Sequence, residues 1–304
     1  MRKPKRQVRG HSRLQSDVST PPPGRKPLLR RPAVWLGGVA VGAAATVITS
    51  VLVGIPAQLI DVPAAQDKLR PDPDLRIISE IVYLNDEGRP KVVPGDYQPP
   101  EDLRQMMSVP EGVVDERVHL RLLDAGAAFL HKLTVRLILE GRRSQGIRIL
   151  GIRPVILQRT EPLDGTLFGF WSQGEEPALD MIADVDEHNP IAREMNAEYQ
   201  PAAPYFERHT IWLADRKQQT VVFRTMTSRH YVVFRLQIDY LLGTQRKRQL
   251  IGNGGRPFRI TGLHCAGRKG FVSYKHAYTF DGSFRLVPLT GKLAADRMGV
   301  PSPC

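Results

Sequence analysis

What the chain has least of is cysteine, two in 304 residues. Two thiols exclude a four-cysteine zinc site and a small fold held by several disulfides. Acidic residues are missing from the start. Residues 1–32 hold ten Lys/Arg and one acid, Asp17, so nine of the twelve net positive charges sit there. The other 272 residues carry 33 Lys+Arg against 30 Asp+Glu. The pI near 9.9 therefore comes from a basic arm on a nearly neutral remainder and is no nucleic-acid footprint of the whole chain. Catalytic signatures are also missing. There is no Gly-x-Ser-x-Gly, His-Glu-x-x-His, Cys-x-x-Cys or P-loop. In Gly252-Asn253-Gly254-Gly255, Pro257 stands where a phosphate loop would need its third glycine, so a hairpin turn is expected.

Charge is absent from residues 33–55, 23 residues of which 16 are Ala, Val, Leu, Ile or Trp. As a helix they reach ~34 Å, enough to cross a ~30 Å hydrocarbon core. Pro56 disfavours continuation. The Lys/Arg cluster at the N-terminal end places that end in the cytoplasm. The expectation is a single-pass plasma-membrane anchor at 33–55, with the bulk of the chain outside. A cleaved signal peptide is the alternative, but its apolar core would be ~7–15 residues long. Gly38, Gly42, Thr46, Ser50 and Gly54 recur every four residues, a small-residue stripe of the kind that lets two helices associate in lipid. A homo-oligomer or a membrane assembly could form through it. The arm, 1–32, reads as disordered; contact with anionic lipid, or with nucleic acid or a cytoplasmic partner, are its other readings.

Four prolines in 56–74 suggest a semi-rigid stalk. Beyond it the dominant signal is period-two alternation. In Leu133–Glu140 the odd positions are apolar. In Tyr231–Tyr240 the apolar side is Val232, Phe234, Leu236, Ile238 and Tyr240. Further β-rich runs are Ile147–Gln158, Thr166–Trp171, Ile182–Val185, Glu207–Leu213, Thr220–Thr227, Arg248–Ile251 and Phe258–Thr261. Turn residues separate them, at 141–146, 164–165, 215–218, 243–244, 253–254 and 281–282. This predicts an all-β ectodomain, an Ig-like antiparallel β-sandwich over 129–289. Residues 75–128 are expected as a mixed strand/helix extension, with a strand at Arg76–Leu84 and a short helix at Val113–Leu123 behind Glu111. Residues 186–204 read as a long loop suited to binding, and 290–304 as a C-terminal tail.

Site candidates are few. Asp180, Asp184, Asp186 and Glu187 could offer oxygen ligands to Ca²⁺, with Asp184, Asp186 and Glu187 the nearest set, or form a carboxylate enzyme site; a solvated strand end is the plainer reading. His209, His230, His264 and His276 show no ligand spacing. Cys265 and Cys304 would close a disulfide in an oxidising compartment; free thiols and a Cys304-linked dimer are the alternatives. Arg246-Lys247-Arg248 reads as a basic hairpin turn, with contact to an anionic wall polymer as its functional reading. No cofactor is implied. The partners expected are the lipid bilayer and an envelope protein or polymer.

Four segments carry a resemblance: Leu137–Gly141, Ile149–Val155, Pro162–Leu167 and Gly255–Thr261. With the basic arm and the Ala/Gly/Val-rich span, they resemble single-pass envelope membrane proteins of high-GC Gram-positive bacteria. The resemblance implies location and fold, and carries no activity.

The orientation is open to direct test. Protease added to intact cells stripped of wall should reach residues 75–289 and spare a tag on the basic arm. Protection of residues 75–289 until lysis would overturn the orientation.

Overall fold

The computed structural model describes Asp67, residues 71–81, 90–108, 115–169, 180–267, 270–289 and 293–294, and Cys304. The basic arm, the expected span with its Gly38-to-Gly54 stripe and most of the stalk lie outside the described residues. Among the described residues no helix is long and apolar enough to cross a membrane. Asp61–Cys304 form one compact unit, mostly β-sheet.

Two large sheets carry the fold. The six-stranded sheet runs in the order β1 (Leu75–Ile81), β4 (Lys132–Gly141), β11 (Gln218–Met226), β7 (Asp180–Asp184), β8 (Arg193–Met195), β9 (Pro201–Pro204). The ten-stranded sheet runs β10 (Ile211–Leu213), β5 (Ile147–Thr160), β12 (Tyr231–Leu242), β14 (Phe258–Thr261), β3 (Ala128–Leu130), β2 (Lys91–Val93), β6 (Thr166–Phe168), β16 (His276–Phe280), β17 (Leu286–Pro288). Its tenth strand, β13 (Gln245–Ile251), pairs with β12 beyond the end of β14. Alternation is what makes β4 and β12 strands: Leu133, Val135, Leu137 and Leu139 point one way, and Val232, Phe234, Leu236, Ile238 and Tyr240 do likewise. All nine are buried in one apolar core shared by the two sheets, with Phe223 of β11 and Phe258 of β14 among them. The arrangement is sandwich-like.

The sheets are not purely antiparallel, as had been expected. β11 runs parallel to β7, β14 to β3, and β16 to β6. Each parallel pair joins strands distant in sequence, so no hairpin turn announces it.

Residues 75–128 do more than extend the sandwich. β1 pairs with β4 over seven residues, and β2 lies inside the ten-stranded sheet between β3 and β6. The helix expected at Val113–Leu123 is α2 (Glu116–Asp124), capped by the Asp115 side chain; Glu111 lies outside the described residues. It follows α1 (Glu101–Met107), which the sequence reading did not anticipate. Leu103, Met107, Val118 and Leu122 of these helices bury against Val93, Phe168, Tyr278 and Phe280. By strand parity these residues share the inner side of the ten-stranded sheet with Phe129. The helices thus cover the half of that inner side which the six-stranded sheet does not.

The expected binding loop at 186–204 is structured. β8 and β9 form an antiparallel pair added to β7, and the Asn196 carboxamide oxygen accepts from the Glu198 and Gln200 N–H groups to close their turn. The run expected as a strand at Glu207–Leu213 begins instead as a helical turn, α3 (Tyr205–Arg208), before β10. The last part of the expected stalk is fastened to the domain: Asp67 accepts from Ser144 N–H and Oγ, both at 2.8 Å, and Asp74 pairs with Arg143 and Lys247.

Cys265 and Cys304 are bonded. The link holds the C-terminal end over Val92, Leu130, Leu167, Leu263, Val272 and Ala277, against which Cys304 packs. Val92, Leu130 and Leu167 lie on the outer side of the ten-stranded sheet, so the β2–β3–β6 half of that side is covered too. The expected tail is further tied by β18 (Leu293–Ala294) pairing with β15 (Phe271–Val272). With the cysteines 39 positions apart in sequence, replacing both by Ser should cost ~3–4 kcal/mol in the chain-entropy account. The melting temperature should fall by roughly 10 °C, and reductant should lower the native protein's by a similar amount. An unchanged melting curve would refute a stabilising bond.

Candidate functional site

Among the described residues, no second layer lies over the β10–β5–β12–β13 half of the outer side of the ten-stranded sheet, although Val233 and Gln237 on it are buried by their neighbours. On β12 the inward set is apolar, so Tyr231, Val233, Arg235, Gln237, Asp239 and Leu241 face outward. Register then decides what stands beside them. Trp212 of β10 lies opposite Arg148 of β5, Arg148 opposite Leu241, and Leu241 opposite Arg246 of β13. The next rows bring Asp239 beside Arg248, Gln237 between Arg153 and Leu250, and Arg235 beside Val155. Val233 stands beside Arg259 of β14. Six arginines, at 148, 153, 235, 246, 248 and 259, therefore share this face with Asp239.

Their partners divide them in two. Arg153 Nε lies 3.8 Å from the Asp239 carboxylate. Arg235 donates to the Gly255 carbonyl at 2.9 Å, and Arg259 reaches the Leu123 carbonyl. Arg259 also lies by Tyr231, whose phenol burial pushes up and Arg259 pulls back. Arg148, Arg246 and Arg248 are exposed, and their side chains make no hydrogen bond or ion pair among the described residues. Trp212 (61% exposed), Leu157 (55%) and Leu250 (50%) add apolar surface between the cations. The outer face of the six-stranded sheet differs: Arg76 and Arg142 flank Glu140, and Arg224 pairs with Asp180 at 2.7 Å. One face is internally neutralised and the other is left cationic. A cationic face with planar guanidinium forks and apolar steps suits an extended anionic ligand.

The acidic run does not converge. Asp180 pairs with Arg224, Asp184 accepts from the Asp186 N–H, and Glu187 lies 3.4 Å from Arg193. Asp186, its side chain 1% exposed, holds the turn between β11 and β12. It accepts from Thr227 Oγ1 (2.7 Å), Ser228 N–H (2.8 Å) and Oγ (3.2 Å), Arg229 N–H (3.1 Å) and His230 Nδ1 (2.8 Å). Burial alone would raise the Asp186 pKa, but these donors hold it below the usual range, while burial raises that of Asp184. The Ca²⁺ expectation for Asp184, Asp186 and Glu187 is corrected accordingly, because each carboxylate is committed to a different protein partner. Among the described residues no three His, Cys, Asp or Glu gather to hold a metal.

The remaining candidates serve structure. His209 meets Glu194 at 3.0 Å, His264 Nδ1 meets the Ser273 carbonyl at 2.8 Å, and His276 meets Asp96 at 2.6 Å. Asn253 and Arg256 close a two-residue turn in which Gly254 and Gly255 have φ of +54° and +84°, the type the Gly-rich run suggested. Arg246-Lys247-Arg248 lies within β13 rather than in a turn. Strand parity sends Arg246 and Arg248 outward and Lys247 inward, to Asp74 at 2.5 Å. Two groups had no signal in the sequence. Lys91 is 1% exposed beneath the Phe129 ring, and burial, reinforced by Lys91, drives the His119 pKa down to about 2. A cavity of about 40 Å³ beside Leu123, Phe129 and Pro257 has room for a few waters only.

No family model, curated protein or solved structure matches the chain.

The Asp186 turn yields a prediction with a definite sign. Its folded pKa is lowered, so its stabilisation is present above the unfolded value of ~3.9. That contribution is lost as pH falls through the folded value. Asp186→Asn should destabilise by about 2–3 kcal/mol at pH 7, since at least one donor faces an amide instead of an acceptor. Urea unfolding from pH 6 to pH 3 should show a shallower decline for the variant than for the native chain. Parallel curves would show that Asp186 does not carry this linkage.

Proposed function

We propose that the chain is a single-pass, membrane-anchored protein, N-terminus cytoplasmic, whose extracytoplasmic β-rich domain holds an anionic polymer of the cell envelope along its arginine face. The uncharged 23-residue run behind a cationic arm supports the anchor. The Cys265–Cys304 bond supports an oxidising compartment. The observation that carries the binding reading is the set of outward arginines without internal partners, on the open half of a sheet whose other half is covered. The domain is immunoglobulin-like in the broad sense of two stacked sheets, with parallel pairs added. The alternative, a carboxylate enzyme site around Asp180–Glu187, would have to work with side chains tied to Arg224, Arg193 and the 227–230 turn. The small-residue stripe at Gly38–Gly54 remains a route to self-association.

The test uses the full chain in neutral detergent. Binding to an immobilised phosphate-bearing glycopolymer should exceed binding to neutral dextran and weaken as salt rises past 0.1 M, roughly where screening reaches ~10 Å. Arg246→Ala with Arg248→Ala, which removes two of the three unpartnered arginines, should weaken it by about tenfold, the equivalent of ~1.4 kcal/mol. Equal retention on both polymers, or no salt dependence, would overturn the reading.

A further inference from the structure

One end of the sandwich, which shares Trp212, Arg148 and Arg246 with the polymer face, combines four features. The turns at 142–146, 214–217 and 243–244 meet there: Arg216 N–H donates to the Gly141 carbonyl at 2.7 Å, and Gly243 lies against the Gln145 side chain. Trp212 lies across Gly146, so close that a Cβ there would stand 2.5 Å from the indole Cζ2. Gly146 has φ +69°, so the turn calls for glycine on both counts. One side of the indole is thus seated on backbone while the residue as a whole stays 61% exposed.

The charges at this end are unbalanced in availability. Arg148, Arg216, Lys217 and Arg246 make no side-chain ion pair among the described residues. The acids at this end include Asp67, Asp72, Asp74, Asp215 and Glu140, the last held by Arg142 and Gln218. Asp67 is taken by Ser144, Asp72 lies 4.0 Å from Arg142, and Asp74 is held by Arg143 and Lys247. The cations are left to face outward.

The chain also enters the domain here. Asp67, Asp72 and Asp74 fasten the incoming segment to Arg142, Arg143, Ser144 and Lys247. Between Ile55, the last residue of the uncharged run, and Asp67 lie eleven residues. The step from 55 to 67 can reach roughly 40 Å when fully extended.

We infer that this end, with Trp212 at its edge and Arg148, Arg216, Lys217 and Arg246 around it, docks on the anionic surface of the bilayer that anchors the chain. The inference rests on the membrane-anchored reading and goes beyond it by assigning the lipid-facing end. Trp is suited to the headgroup level, with its ring in the apolar boundary and its N–H in the wet layer. Arg and Lys keep their charges at the phosphates while their stems lie along apolar surface. The short tether raises the local concentration of lipid at this end. Of the polymer face, Arg248 with Arg153, Arg235 and Arg259 lies further along the strands, and Arg148 and Arg246 stand where the two surfaces meet.

The experiment uses the full chain with Trp35→Phe and Trp171→Phe, so that fluorescence reports Trp212 alone. It is placed in nanodiscs whose phosphatidylglycerol or phosphatidylcholine carries brominated acyl chains. At least twofold quenching is expected in the anionic discs, little in the neutral ones. The quenching should be relieved by 0.5 M salt and by Arg216→Glu with Lys217→Glu. Absence of quenching in anionic discs would overturn the docking. Equal quenching in both lipids, unmoved by salt, would overturn its electrostatic basis. A chain that fails to incorporate into discs would remove the anchor reading and the docking with it, a result distinct from an incorporated chain whose Trp212 stays unquenched.

Discussion

Burial of the inward residues of β4 and β12 in one core is the constraint from which the rest follows. Val232, Phe234, Leu236, Ile238 and Tyr240 stay out of water only if that side of β12 faces the six-stranded sheet. A strand has two faces, so Arg235, Gln237 and Asp239 must then face away. Pairing carries the same choice sideways into β5, β13 and β14, and Arg148, Arg153, Arg246, Arg248 and Arg259 are turned outward by it. The cationic face is thus a by-product of packing the core, and its composition is what makes it a site.

Coverage decides which part of the outer surface stays available. The β2–β3–β6 half of the ten-stranded sheet has α1 and α2 on its inner side and the Cys265–Cys304 segment on its outer side. The β10–β5–β12–β13 half has the second sheet inside and, among the described residues, no such cover outside. The six-stranded sheet disposes of its outward charges by pairing them, Arg224 with Asp180 and Arg142 with Glu140. Asp186 follows the same economy on a smaller scale. One buried carboxylate satisfies the donors of the 227–230 turn and so sets the path from β11 into β12, the strand that carries the open face.

Much of this was legible from residue order, and the misses have physical causes. Local pattern located the long strands β4, β5 and β12 and the turns at 141–146, 243–244 and 253–254, because each depends on neighbours within a few residues. Short strands such as β2 and β3 carry three residues each, too few for a period to show. The 186–204 segment looked like a loop because its prolines and polar residues hide a pair of strands that gain stability only against β7. Arg246-Lys247-Arg248 was visible as charge but was assigned to a turn, and only the strand pairing with β12 split it into two outward arginines and an inward lysine.

The amino-acid order by itself determined that the chain would be β-rich beyond residue 75, that its strands would have one apolar side, and that a charge-free 23-residue run follows a cationic arm. These are properties of adjacent residues, and no fold is needed to evaluate them. Tertiary structure alone decided which strands run parallel, that Cys265 and Cys304 come together across 39 residues, and that Asp186 is spent inside a turn. It alone decided which arginines found a carboxylate and which did not. A charge is written in the sequence, but its partner is set by distance, and distance between remote residues exists only once the chain has folded.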